Sequence, residues 1–393
     1  MPIAVYVLGL GIFSVTTSEF MVSGLMPALA ADFGVSIPAV GYLISVYAAG
    51  MAVGGPLLTV GLLRFPRRNT LVALFGVFIV GQVIGALAGD YGVMLVARVV
   101  TGIAASSVFG MSFAIAVDSA GPERTGRAAS IVIGGLMIGT VLGLPAATFV
   151  GQAFGWRAAF WAVAVLALVV ALITLRAVPA APAGHEPGVR QELAAFRDGR
   201  LWAAYTTSML IIGATFVAFS YFTPILTDVS GFDAGSVPVL LACYGVATVV
   251  GNAVVGRFAD RHTMAVLAVG LVALTAALAV FGLFADVPAV AVAALVAIGL
   301  VGVTMNPAMA ARVIRTSNGR PLVNTVHTSV ITLGVVIGSW TGGLAISAGY
   351  GLRAPLWIGV ALAVLGFASI VPELLRSHRT TPRPSEATAA VGR

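Results

Sequence analysis

The sequence predicts an all-α membrane protein of twelve transmembrane helices arranged as two six-helix bundles. Three observations predict this class: composition, the length of the apolar runs, and an internal repeat at half the chain length. Of 393 residues, 59% are apolar and 9% charged, whereas soluble domains carry about 25% charged residues. Runs of roughly 20 apolar residues suffice to cross a hydrocarbon core of about 30 Å as helices, and about twelve fit. A transmembrane barrel is excluded because no ~10-residue segments alternate apolar and polar positions. The same composition excludes disorder.

Taken in order, spans fall near 3–30, 39–62, 69–89, 91–117, 128–151 and 157–176, then near 201–226, 236–256, 264–285, 289–311, 322–347 and 354–372. These give a first bundle over 1–176, a cytoplasmic linker over 177–200, a second bundle over 201–372 and a cytoplasmic tail over 373–393. The linker opens with Pro, Ala and Gly and ends in a short charged stretch, Arg190 to Arg200, that suits a surface helix. The first apolar run is too long for a signal-peptide core and has no basic residue before it, so it is expected to be a retained span.

The repeat supports the architecture independently. Gly155-Trp-Arg157-Ala-Ala-Phe-Trp161 recurs as Gly351-Leu-Arg353-Ala-Pro-Leu-Trp357 at an offset of 196 residues. Gly139/Gly143 recurs as Gly334/Gly338, and Gly54 with Arg64 recurs as Gly251 with Arg261. Six spans separate the copies, so both halves face the same way, an arrangement that suits alternating access around a midplane site.

All 21 basic residues are arginine. Without lysine there is no Walker A loop, which excludes a self-contained ATP-driven pump. Eighteen arginines fall in loops on one side and two, Arg157 and Arg353, on the other. The positive-inside rule then places both termini in the cytoplasm, and the net charge of +7 is membrane topology rather than nucleic-acid binding. One cysteine, Cys243, allows no internal disulfide.

Two charges are expected inside spans. Glu19 lies about 24 Å along the first helix, and Arg98 about 10 Å from the outer end of the fourth. Charges at such depth are costly unless paired or wetted, so the two are expected to be near one another. Thr16, Glu19 and Ser23 share one helical face, as do Arg98, Gly102, Ala105 and Phe109, and both faces are expected to line a cavity. Glu19 is the candidate proton carrier, its affinity governed by loss of solvent and a neighbouring guanidinium; fixed helix glue is the alternative. The second half offers Tyr221, Phe222, Tyr244, Asn252, Asn306 and His327 as cavity residues, suited to an apolar substrate with a few hydrogen-bonding groups. His327 is a second candidate proton relay.

Gating candidates come from the glycine-rich and arginine-rich cytoplasmic boundaries. They are Gly54, Arg64 and Arg68 in the first half and Gly251, Asp260 and Arg261 in the second, where small residues let helices approach and arginines anchor the ends. Gly139, Gly143 and Pro145 belong to a smooth, bendable fifth span. His185-Glu186 lacks a second histidine at zinc spacing, so no metal and no cofactor is expected. No nucleophile or phosphate motif suggests an enzyme.

These residues resemble the major facilitator superfamily, and within it the twelve-span drug:proton antiporters. The resemblance rests on Thr17-Ser18-Glu19-Phe20 with Gly24-Leu-Met-Pro27, the Gly54 to Arg68 loop, Arg98 with Gly102, Gly139 to Gly151, Gly155-Trp-Arg157 and the Gly251 to Arg261 loop. The first-span signature and Gly-Trp-Arg-Ala-Ala-Phe-Trp look most like actinobacterial chloramphenicol-resistance exporters. The resemblance implies a proton site at Glu19, the fourth-span motif arginine at Arg98 and the antiporter motif over Gly139 to Gly151. The chain departs from the pattern at Leu63 and Pro66, where an acid and a glycine are usual, and at Thr332-Leu-Gly334, where asparagine commonly precedes Leu-Gly. The expected function is proton-coupled efflux of small apolar compounds, phenicol-type antibiotics foremost, by a multi-pass monomer of the inner membrane. Its partners are then protons, a drug-like solute and the bilayer. The rivals are a sugar or nucleoside exporter on the same scaffold and an uncoupled channel or receptor.

Overall fold

The computed structural model describes residues 1–62, 65–120, 124–178, 194–259, 261–317 and 321–379. Twelve helices among them are long and apolar enough to span a membrane. The first six are α1 (Ile3–Phe33), α2 (Ile37–Leu62), α3 (Arg67–Ala86), α4 (Tyr91–Ala120), α5 (Thr125–Phe154) and α6 (Trp156–Ala177). The second six are α7 (Gly199–Phe219), α8 (Val237–Phe258), α9 (Thr263–Phe284), α10 (Pro288–Thr316), α11 (Pro321–Ala345) and α12 (Ala354–Arg379). No strand occurs among the described residues.

The helices start and stop where backbone chemistry requires. Gly34 ends α1 in the left-handed conformation, φ 64° and ψ 32°, and its N–H reaches back to the Ala30 carbonyl. Gly155, at φ 86°, makes the sharp break between α5 and α6. Asp198 caps α7 by accepting from the Arg200 N–H at 2.8 Å.

Within α5, residues Gly139–Gly143 form a π-helical stretch whose bond runs from the Leu144 N–H to the Gly139 carbonyl. Pro145 follows at once. It lacks the N–H that an α-helical ladder would use, so the ladder widens there instead of breaking.

α1–α6 pack chiefly on one another, as do α7–α12, and the two sets meet through α2 against α11, α5 against α8, and α1 against the end of α7. Two boundaries differ from the expected ones. α12 continues through Pro372 to Arg379, so the proposed tail begins inside a helix. α10 runs past residue 311, which puts Arg312 within a helix rather than in a loop. Of the expected surface helix in the linker, a short 3-10 turn at Ala194–Arg197 is described.

Candidate functional site

Small residues set how closely the helices approach. A Cβ on Gly102 of α4 would strike the Tyr47 carbonyl of α2, and one on Gly54 would stand 2.7 Å from Ile103 Cα. Only hydrogen at these positions lets α2 and α4 come this close. Gly139 and Gly143 do the same for α1 and α5, meeting Thr16 and Thr17, while Gly245 of α8 meets Val141 from the opposite side. The π-helical stretch of α5 is therefore held between α1 and the second half.

Arg98 occupies the pocket that this close packing makes. It is 1% exposed. Its Nη1 donates to the Ser18 carbonyl at 2.9 Å and to Ser18 Oγ at 3.5 Å, Nη2 to the Glu19 carbonyl at 3.3 Å, and Nε to the Leu43 carbonyl at 3.4 Å. Its Cζ lies 4.0 Å from the centroid of the Tyr47 ring. Gln82 Nε2 donates to Ser18 Oγ from α3, while Gln82 Oε1 is buried without a partner. A guanidinium buried in this way has its donors met by carbonyl dipoles and a π face rather than by a hydrogen-bonded carboxylate.

Glu19 stands beside it, as expected, but the contact differs from a carboxylate pair. Arg98 reaches the backbone carbonyl of Glu19, and the half-buried carboxylate forms no ion pair with any described residue. The acid can thus change protonation state without stripping Arg98 of its partners.

The two faces expected to line a cavity are largely enclosed. Thr16 packs on Gly139, and Ser23 Oγ donates to the Phe219 carbonyl across the two halves at 2.8 Å. Gly102 and Ala105 are buried, leaving Phe109 half-buried on that side of α4. Ser23 and Phe219 belong to a seam near the arginine-poor ends of the helices. There Thr223 Oγ1 donates to the Ser23 carbonyl at 2.7 Å, Ser45 and Ser339 hydroxyls meet at 2.6 Å, and Gln152 Nε2 donates to the Ala234 carbonyl at 2.7 Å. The adjoining turn is held by Asp233, whose carboxylate accepts from the Ser236 hydroxyl and N–H, and these bonds keep it below the usual carboxylate range.

The second-half candidates divide into three groups. Tyr221, Phe222 and Tyr244 are buried at the seam: the Tyr221 hydroxyl donates to the Ser339 carbonyl at 2.8 Å, and Phe222 joins Phe219, Tyr244 and Phe281 in one aromatic cluster. His327 is enclosed between α7 and α11, with Nε2 2.9 Å from Ser208 Oγ and its ring stacked on Tyr205. Asn252 is half-buried and Asn306 exposed.

Among the gating candidates, Gly251 is pressed against the Leu300 carbonyl, Arg68 is half-buried with Nε donating to Asn69 Oδ1 at 3.3 Å, and Arg261 is exposed. Arg64 and Asp260 lie outside the described residues. Their neighbour Arg67 pairs with Asp118 of α4.

Sequence reading passed over Tyr47, Gln82, Ser45 and Ser339. Gln82 carried a usable signal, a lone amide deep in an otherwise apolar span; the serines carried none. Reading only two charges inside spans also missed Arg312, which is buried within α10 and donates to Glu373 Oε2 of α12.

Known proteins resemble this arrangement over its whole length. The sequence profile of the Major Facilitator Superfamily matches residues 8–317 and 230–392. A chloramphenicol resistance protein of Streptomyces lividans is 31% identical over 393 residues, 99% of this chain and 100% of that one. The inner membrane transport protein YdhP of Escherichia coli K12 is 32% identical over 359 residues, 91% and 92% of the two chains. Among solved structures, a bacterial homologue of the human lysosomal transporter Spinster, in an inward-facing and unoccupied conformation, superposes with a TM-score of 0.75 at 16% identity, covering 97% of this chain and 98% of that one. The human organic anion transporter MFSD10 superposes at 0.69 and 16% identity, covering 93% of this chain and 98% of that one. The chain belongs to the Major Facilitator Superfamily and is a multi-pass membrane transporter.

Proposed function

We propose that this transporter exports small, largely apolar compounds, chloramphenicol-like antibiotics among them, in exchange for protons. It does so by alternating access from the inner membrane, with its arginine-rich helix ends in the cytoplasm. The observation that carries the reading is the division of labour at the α1–α4 contact. Arg98 is engaged by carbonyls and Tyr47, while the neighbouring Glu19 carboxylate forms no ion pair within contact distance among the described residues. An acid so placed can load and unload a proton at modest structural cost, because the charge beside it is already satisfied. Substrate class is supported by the full-length likeness to a chloramphenicol resistance protein.

On this reading the seam at the arginine-poor ends is the outer gate in its closed form. Protonation of Glu19 from outside, substrate binding from inside and reversal of the seam make one cycle.

The test is chloramphenicol export from everted vesicles under an imposed pH gradient, with variants matched for folded protein. Glu19→Gln is expected to fold normally and to lose gradient-driven export by at least about tenfold, while Glu19→Asp keeps partial activity with a shifted pH optimum. Undiminished gradient-driven export by the glutamine variant sinks the proton role.

A further inference from the structure

The arginine-rich ends of α7, α9, α10 and α12 enclose a cavity of about 560 Å³, remote from Glu19 and from the seam. That volume suits a small ligand or a headgroup. Its wall includes Asp198, Arg200, Thr263, Arg312, Arg315 and Glu373. Arg312, 6% exposed, forms the back: Nε and Nη2 donate to Glu373 Oε2 at 3.1 and 2.7 Å, and Nη1 to Thr207 Oγ1 at 2.8 Å. Arg200 and Arg315 approach from exposed positions on two other faces. Three guanidinium groups against two carboxylates leave the wall one charge positive. Asp198 is already turned to the first turn of α7, where it accepts from the Arg200 N–H. The first turn of α9 opens on the same space, and its N-cap His262 supplies no side-chain cap, so N–H groups of that turn add positive potential.

The internal repeat supplies a control. At the offset of 196, Thr207, Arg312 and Glu373 correspond to Gly11, Ala116 and Ala177. The first half places its charges elsewhere in the equivalent corner: Thr263, Met264 and Pro372 correspond to Arg67, Arg68 and Arg176, and Arg67 pairs there with Asp118. The buried Arg312 with its Glu373 and Thr207 partners is thus particular to the second half, where it is carried despite its desolvation cost.

We propose that this cavity is a binding site for a phosphate oxyanion. Arginine presents a planar fork that matches phosphate oxygens two at a time. Arg312 has its donors committed to Glu373 and Thr207, so it backs the site with charge. The exposed guanidinium groups of Arg200 and Arg315 supply the forks that favour phosphate over a simple halide. The depth is that of a membrane interface. Trp202, 51% exposed, lies one turn into α7 with its indole N–H donating to the Phe196 carbonyl at 2.8 Å, the placement of an interfacial tryptophan. Phosphate at that level comes either from an anionic lipid headgroup or from a phosphorylated solute in the water beside it. The occupant ties four helix ends of one half together.

The experiment uses the purified full-length chain in uncharged detergent, reading the thermal unfolding midpoint. It is titrated with dihexanoyl phosphatidylglycerol, dihexanoyl phosphatidylcholine and inorganic phosphate, with sodium chloride matched for ionic strength. We expect phosphatidylglycerol to raise the midpoint at lower concentration than phosphatidylcholine. The Arg200→Gln/Arg315→Gln double variant should shift that titration at least about tenfold, and Arg257→Gln, an exposed arginine outside the cavity, should leave it unmoved. Arg200→Gln alone serves if the double variant folds poorly, with a shift of at least about threefold. Stabilisation by phosphatidylglycerol but not by inorganic phosphate assigns the lipid source; equal stabilisation by both, lost together in the variant, assigns a water-borne phosphate. No stabilisation by either, or stabilisation that survives the arginine variants, overturns the proposal.

Discussion

At the scale of single residues, the informative pair is Arg98 and Tyr47. The guanidinium is planar and long enough to touch carbonyls from α1 and α2 while lying on the ring of Tyr47. Lysine has the charge but neither the plane nor the spread of donors. Arg98→Lys should therefore leave Ser18, Glu19 and Leu43 carbonyls short of partners, at about 1.5–3 kcal/mol for each charged bond lost. A lower unfolding midpoint in detergent and at least about tenfold slower export per folded molecule are expected. A lysine variant matching wild type in both measurements would show that charge alone suffices. Glu19→Gln, by contrast, should barely move the midpoint, since the carboxylate has no ion-pair partner to lose. The two variants separate structure from coupling at neighbouring positions.

At the scale of helices, glycine sets spacing and proline sets register. Gly102→Ala would drive a methyl into the Tyr47 carbonyl, which is backbone and cannot swing aside. Overpacking of this kind typically costs 1–3 kcal/mol. It would also push Arg98 off the Tyr47 ring, so both folded yield and export should fall, measurable by size-exclusion profile and vesicle assay; Gly110→Ala, where the added Cβ meets nothing within 4 Å, is the matched control.

Helix existence and order were legible in the sequence because apolar run length alone specifies a span. The ends were less so. Arg312 and Glu373 fall just past the expected span limits of 311 and 372, since a charge normally ends a span, whereas here they pair with each other and α10 and α12 continue. The glycines of α5 were legible as a packing motif, but the π-helical register was not, since it depends on what Pro145 cannot donate. Glu19 and Arg98 were legible as neighbours by the cost of isolated charge. That the arginine would be served by main-chain carbonyls was not, because every residue has one. Tyr221 and Phe222, read as cavity wall, are seam residues in this state; sequence gives the face a residue shares but not which face is closed.

At the scale of the whole molecule, the proposed alternating access requires the seam between the halves to open and close. Ser45 and Ser339 hydroxyls are 2.6 Å apart across it. In a Cys243→Ala background, Ser45→Cys with Ser339→Cys should form a disulfide on oxidation, arrest export, and recover on reduction. Oxidised protein that still transports at the uncrosslinked rate would rule out motion at this seam.

The chemistry of the seam has a consequence for how the molecule responds to its medium. Its bonds run from hydroxyls and an amide to carbonyls or to another hydroxyl, packed round aromatic rings. The ion pairs found among the described residues, Arg67–Asp118, Arg157–Asp32, Arg312–Glu373 and Arg353–Asp286, each join two parts of the same half. Raising salt from 0.05 to 0.5 M shortens the Debye length from roughly 14 Å to about 4 Å, yet it leaves these hydroxyl, amide and aromatic contacts unscreened. The rate of Ser45→Cys/Ser339→Cys crosslinking should accordingly be flat across that range, and a steep dependence would reveal a charge bridging the halves. Among the described residues, then, the join between the halves offers dissolved salt no ion pair to loosen, and the proposed opening of the seam falls to temperature, to lipid and to whatever occupies the interior.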